Sequence, residues 1–294
     1  SSDVCSSDLH LIAAGGKRFR PLLTLLASNY GDPTRIEVIK AAVVVELTHL
    51  ATLYHDDVMD EAPLRRGVES ANKRWGNSVA ILTGDYLFAK SSLLLAELGP
   101  DAVRHQAMTF ERLVVGQIME TQGPQAGEDR LTHYLSVVSE KTGSLFGLCA
   151  RYGGYLSGAR HEVVETLVSF SEELGVAFQL ADDVIDIESS SNQSGKTPGT
   201  DLREGVPTLI TLLVQNMARS EDSRLLALLS GPITDERDVT YALEQLRAHD
   251  ALDEAKRITR NHAERARKLL APLPLNGTTE GLLSLCDTLV SRSA

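Results

Sequence analysis

AAVVVELTHLATLYHDDVMD, residues 41–60, and LGVAFQLADDVIDI, residues 174–187, decide how the rest of the chain is read. In both stretches apolar residues cover much of a helical circumference, and both end in an aspartate cluster. A helix with so little polar face belongs at the centre of a fold rather than on its surface. Elsewhere apolar residues recur at three- and four-residue spacing, while alternating β-branched stretches joined by tight Asn-Gly turns are missing. The chain therefore reads as all-α. Gly31-Asp32-Pro33, Gly99-Pro100, Gly123-Pro124, Gly158, Gly231-Pro232 and Pro272-Leu273-Pro274 punctuate it. They separate helices expected over 20–30, 34–61, 76–98, 101–122, 129–141, 143–158, 161–189, 207–218, 221–230, 235–248, 251–270 and 277–291. The Ser-, Gly- and Pro-rich stretch 190–206 reads as a surface loop placed to act as a lid beside the second cluster.

A length of 294 residues with 43% hydrophobic content suits one large domain, assigned to 10–294. Residues 1–9, SSDVCSSDL, lack the basic and apolar parts of a signal peptide and read as an uninformative, non-native segment. Helical patterning starts abruptly after them, which suggests a further N-terminal helix in the natural protein. A net charge of −11 argues against a nucleic-acid surface, which needs clustered Lys and Arg. Cys5, Cys149 and Cys286 are too few and scattered for a disulfide framework, so a reducing cytoplasm is expected. No helix is expected to cross a bilayer, because the apolar run into the first cluster carries Glu46, Thr48 and His49.

Asp56 and Asp60 are four residues apart and share a helix face, with Asp57 about 100° around the axis. Asp182, Asp183 and Asp186 repeat that spacing. One such cluster is as readily a solvated helix end as a metal site. Two clusters, each at the end of an apolar helix, shift the balance, because their mutual repulsion calls for cations. Carboxylate is a hard oxygen ligand suited to magnesium with bridging phosphate oxygens.

Basic residues lie near both clusters: Lys17, Arg18 and Arg20 in GGKRFRP, Arg65 and Arg66 in LRRG, Lys141 with Thr142 in EKTGSLF, and Lys196 in the loop. The planar guanidinium fork suits phosphate. Singly, each has a plainer explanation: a turn at Gly15-Gly16, a lysine at a helix C-terminus, a solvated loop lysine. His49, two turns before Asp56, and Gln179, three residues before Asp182, are ordinary core residues unless a cavity lies beside them.

Together these stretches resemble the trans-prenyltransferases, the all-trans polyprenyl diphosphate synthase family, in its medium- and long-chain bacterial form. The matching segments, in order, are GGKRFRP (15–21), VELTHLATLYHDDVMDEAPLRRG (45–67), GDYLFA (84–89), EKTGSLF (140–146), FQLADDVIDI (178–187) and GKTPGTDL (195–202). The resemblance implies a helical barrel around a deep central cavity, with three Mg2+ ions held by Asp56, Asp57, Asp60, Asp182, Asp183 and Asp186. It implies that Lys17, Arg20, His49 and Arg66 hold isopentenyl diphosphate. Arg65, Lys141, Thr142, Gln179 and Lys196 match positions around the diphosphates, mostly the allylic one. A homodimer is usual in the family, and a long apolar product implies peripheral membrane contact at release. One departure stands out: Val206 occupies a position where the family often has Lys.

The reaction expected is ionisation of the allylic diphosphate, attack on the cation by isopentenyl diphosphate, and proton loss to the released diphosphate. Arg65, Lys141 and Lys196 would stabilise the leaving group alongside the metals. Ala51 and Thr52 lie where the growing tail enters, about 7.5 Å of helix axis from Asp56 at the farther residue. Their small side chains predict a product beyond farnesyl and geranylgeranyl length, unless Tyr86 or Phe88 forms a floor. Ser91 and Ser92 argue mildly against one. The rival readings are a non-catalytic subunit of a heteromeric synthase, which loss of aspartates would mark, and a terpene cyclase. The second Asp-Asp-x-x-Asp and the basic residues for a second diphosphate disfavour the cyclase.

Overall fold

A computed structural model describes residues 7–188 and 198–292. Its helices are α1 (His10–Ala13), α2 (Phe19–Ser28), α3 (Ile36–Met59), α4 (Ala71–Trp75), α5 (Asn77–Ala96), α6 (Pro100–Gln122), α7 (Arg130–Val138), α8 (Ser144–Ser157) and α9 (His161–Glu188). Then come α10 (Thr200–Glu204), α11 (Leu209–Met217), α12 (Ser223–Leu228), α13 (Glu236–Ala248), α14 (Asp250–Leu269) and α15 (Gly277–Arg292). Among the described residues the fold is all-α apart from strands β1 (Leu64–Arg65) and β2 (Val68–Glu69).

The short helices α1 and α4 were not expected from the sequence, and three further local features depart from it. First, β1 and β2 form a small antiparallel hairpin with Arg65 opposite Val68. Its two-residue turn places Arg66 at φ 55° and Gly67 at φ 78°, the left-handed pair of a type I′ turn. Arg-Gly is a weaker signal for that turn than Asn-Gly, which is why pattern reading passes over it. Second, the expected break near residue 142 is a π-turn, Ser139–Gly143, that carries α7 directly into α8. Third, the stretch after Gly199 is not all loop: α10 stands between Gly199 and Gly205, at φ 75° and 71°. The remainder of the expected lid, 190–197, lies outside the described residues.

The chain divides into two compact units, Ser1–Thr109 with Phe146–Val168, and Phe110–Leu145 with Ser169–Ala294. In the first, α3 packs along α5 around Leu50, Ala51, Tyr54, Ala80 and Leu87. The approach is close at Gly84, where a Cβ would overlap the His55 imidazole. That accounts for the glycine of GDYLFA. Ser7, within the stretch read as uninformative, is buried; its carbonyl accepts from the Tyr54 hydroxyl and its own hydroxyl accepts from Thr83 Oγ1 at 3.0 Å. In the second unit, Val176, Leu180, Val184 and Ile187 of α9 pack with Leu209, Ile210 and Leu213 of α11. Thr208 and Thr211 make a capping box at the start of α11.

By length and composition α5 could span a membrane, a run that the sequence reading passed over, although Asp85 and Lys90 interrupt it. A third of its apolar window is buried inside the protein.

At the crossing of α8 over α2, a Cβ on Gly153 would overlap the Thr24 carbonyl and lie 2.8 Å from Ala27 Cβ. Both obstacles belong to α2, where Thr24 and Ala27 are fully buried. Gly153→Ala should therefore cost about 1–3 kcal/mol of stability by overpacking, read as a lower urea midpoint with the helical circular dichroism of the folded state retained.

Candidate active site

In the first unit, α3 ends on the first aspartate cluster. The helical phase turns Asp56 and Asp60 outward, half-buried and exposed, and drives Asp57 into complete burial. Asp57 Oδ1 accepts from Arg65 Nε at 2.6 Å, and its backbone carbonyl accepts from Asn72 Nδ2 at 3.0 Å. Burial raises the Asp57 carboxyl, and Arg65 opposes this only in part. Burial also works against the charge on Arg65, yet Asp57, Asp56 and Asp60 together hold its guanidinium above the usual range. Asp57 and Asp56 thus occupy different environments, although the sequence reading gave them one role.

The hairpin turn presents Arg66, whose Nη1 donates to the carbonyls of Leu11, at 2.8 Å, and Gly15. Gly16, at φ 131°, leaves room for that guanidinium: a Cβ there would stand 2.8 Å from Arg66 Cζ. Arg18, left-handed at φ 49°, pairs with Glu46 and donates to the Ile12 carbonyl at 2.8 Å. The Arg20 guanidinium lies 5.2 Å from the centroid of the Phe146 ring. Lys17 is exposed on the same loop. His49 registers this assembly: burial, then the positive charges of Arg20, Arg66, Arg65 and Arg18, hold its imidazole well below 6.5. Thr52 donates to the His49 carbonyl at 2.8 Å, and Ala51 is fully buried.

The second unit repeats the division of labour. At the end of α9, Asp182 is half-buried while Asp183 is 3% exposed. Asp183 accepts from the Tyr134 hydroxyl, from Leu209 N at 3.0 Å and from Gln179 Nε2 at 3.2 Å. Burial pushes its carboxyl up to about 6, and burial beside that carboxylate sends the Tyr134 phenol well above its ordinary range. Asp186 is buried where α10 begins and accepts from Thr200 N at 3.3 Å and Asp201 N at 3.4 Å. Gln179 also accepts from Thr142 Oγ1 at 3.4 Å, linking the π-turn to the aspartates, and Lys141 pairs with Glu120. Lys196 lies outside the described residues. Val206 lines a cavity of about 460 Å³ with Tyr134, Leu202 and Ile233.

Sequence reasoning missed Tyr134, Glu120 and the pairing of Arg18 with Glu46, none of which belongs to a motif of recognisable spacing. Among the described residues, no three His, Cys, Asp or Glu side chains stand together as a ready-made metal cage.

A cation-rich loop beside one aspartate helix, and a Lys-Thr turn beside another, are parts suited to polyanionic phosphate chemistry. A family model described as polyprenyl synthetase matches residues 5–246. The chain belongs to that family. A nonaprenyl diphosphate synthase of Mycobacterium tuberculosis is 52% identical over 97% of this chain and 85% of its own length. Among solved structures, a polyprenyl synthase from Caulobacter crescentus aligns with a TM-score of 0.91 at 34% identity, over 98% of this chain and 89% of that one. A geranylgeranyl pyrophosphate synthase from Corynebacterium glutamicum aligns at 0.87 and 43% identity, over 100% and 90%. Both of those structures are complexes with calcium and isoprenyl diphosphate.

The depressed imidazole of His49 has a consequence for stability. Below pH 6.5 the unfolded chain protonates residue 49 while the folded protein holds it neutral, so stability falls as pH drops. One proton contributes at most about 1.4 kcal/mol per pH unit. His49→Gln should flatten the pH dependence by that amount in urea unfolding at pH 7.5, 6.5 and 5.5, with wild type losing more than the variant towards acid.

Proposed function

We propose that this protein lengthens an allylic prenyl diphosphate by successive addition of isopentenyl diphosphate, head to tail and trans, to a product beyond geranylgeranyl length. The single observation that carries the reading is the pairing, in one chain, of two aspartate clusters, each with one carboxylate buried and tied down and its neighbour, Asp56 or Asp182, half-buried, with four guanidiniums gathered around His49. A catalytically silent subunit would not need both.

Asp56, Asp60 and Asp182 are the groups we assign to divalent cations, with Asp186 beside them, and magnesium, in three ions, is the metal we propose. The donor set fits: magnesium keeps few protein carboxylates and completes its octahedron with phosphate oxygens and water, so no closed cage is required. Bound there, it supplies positive charge against the charge developing on the leaving diphosphate. Asp57 and Asp183, which the sequence placed among the ligands, are assigned instead to holding Arg65 and the Gln179–Thr142 pair.

Arg65, Lys141, Thr142, Gln179 and Lys196 bind the allylic diphosphate; Arg65, Lys141 and Lys196 stabilise it as it leaves. Lys17, Arg20 and Arg66 hold isopentenyl diphosphate, and neutral His49 donates a hydrogen bond without adding a fifth cation to four guanidiniums. Proton loss after carbon–carbon bond formation falls to the released diphosphate, as no carboxylate here need act as base. Small side chains at Ala51 and Thr52 favour a long product. Tyr86 is 38% exposed and Phe88 packs beside His55, ring centroids 5.8 Å apart.

Asp56→Ala or Asp182→Ala should lower turnover by about 10²-fold or more with an unchanged melting profile. The assay combines magnesium, labelled isopentenyl diphosphate and a series of allylic starters, with products sized by chromatography. Near-normal condensation by either variant would refute the assignment, and geranylgeranyl diphosphate as the sole product from farnesyl diphosphate would refute the length.

We further propose a cytoplasmic homodimer that touches membranes only peripherally at product release. Buried free thiols at Cys149 and Cys286 suit a reducing compartment. Leu82, Tyr86 and Leu93 share a face of α5, with Leu82 and Leu93 66% and 64% exposed, and a second subunit would cover that apolar stripe. Leu82→Arg with Leu93→Arg should convert the protein to monomers in analytical ultracentrifugation, and a monomeric wild type would reject the dimer.

A further inference from the structure

The π-turn Ser139–Gly143 is an uncommon element, and it carries Lys141 and Thr142. Its i→i+5 bonding fits one more residue into the turn than an α-helix would. The residues beyond it are therefore displaced about 100° around the axis relative to α7. Something must hold the chain in that wider form, because an α-turn has better hydrogen-bond geometry.

The holding groups come from both sides. Arg112 on α6 grips Glu140 with two parallel hydrogen bonds, Nε to Oε2 at 2.9 Å and Nη2 to Oε1 at 3.1 Å. Its remaining Nη1 donates to Glu172 Oε1 on α9 at 2.5 Å. One turn along α6, Gly116 lets the backbones meet: a Cβ there would stand 2.9 Å from Glu140 Cβ and from Lys141 Cγ. On the opposite side a Cβ on Gly143 would be 3.2 Å from the Glu172 carbonyl. Within the turn, Ser144 Oγ donates to the Glu140 carbonyl at 2.5 Å, so an oxygen of the widened loop keeps a partner.

We infer that Arg112 is a positioning residue: by tying Glu140 to Glu172 it holds the π-turn and so aims Lys141 and Thr142 at the allylic diphosphate. The inference rests on the substrate reading given above for those two residues. Arg112, Glu140 and Glu172 have side chains 36%, 28% and 34% exposed, so their ion pairs add little to global stability and act locally. The geometry needs a planar fork with three bonds in one plane, which a lysine cannot reproduce.

The test compares wild type, Arg112→Met, Arg112→Lys, Lys141→Ala and the Arg112→Met/Lys141→Ala double variant. The readouts are steady-state kinetics in both substrates, thermal melts, and amide hydrogen exchange over residues 139–143. Arg112→Met should lower kcat/KM for the allylic diphosphate by about tenfold or more, leave KM for isopentenyl diphosphate unchanged and speed exchange across the turn. Arg112→Lys should recover only part of the loss. Added to Lys141→Ala, Arg112→Met should cost less than about threefold further, as expected of residues acting as one unit. A full multiplicative loss in the double variant, or unchanged exchange in Arg112→Met, would overturn the inference alone. If Lys141→Ala matched wild type, the substrate reading of Lys141 would fall first and the inference with it.

Discussion

Neighbouring aspartates on a helix point about 100° apart, so an Asp-Asp pair at the end of a buried helix cannot present both carboxylates to the same surroundings. One must enter the protein. In both units the second of the pair does so, and much of the local architecture answers that burial. Asp57 draws in Arg65, which fixes the strand leading into the Arg66 turn. Asp183 draws in Tyr134, Gln179 and the first amide of α11. The helix ends that carry Asp56 and Asp182 are thereby anchored through their inward neighbours.

The cationic side faces a complementary difficulty, since crowded guanidiniums repel one another. Here each is tied down separately: Arg18 by Glu46 and a carbonyl, Arg66 by two carbonyls, Arg65 by Asp57, Arg20 over an aromatic ring. The positive field is thereby built before any anion arrives. Preorganised charge of this kind costs no rearrangement during reaction, and a neutral His49 among the arginines is its local signature.

The helical fold and the outward aspartates were legible in the sequence because both depend on periodicity. Three-and-four spacing marks α3 and α9, and four-residue spacing places Asp56 with Asp60. What stayed illegible depends on contacts between segments distant in sequence. The partner that Asp57 takes, Arg65, is set by a hairpin whose Arg-Gly turn gives a weak signal. The π-turn follows from Arg112 and Gly116, far upstream of it and in no motif. Glu140 and Thr142 were visible only as part of EKTG, which reads as a break between two helices.

Arg66 shows what such a site exacts from the backbone. Its φ of 55° suits glycine, and a residue with a Cβ holds that conformation at a backbone cost. Selection for robustness alone would replace it with glycine or asparagine and relax the turn, while erasing the ties to Leu11 and Gly15 that gather the N-terminal loop. A sequence tuned purely for endurance would thus drift away from this turn, which trades a comfortable backbone for a gathered N-terminal loop.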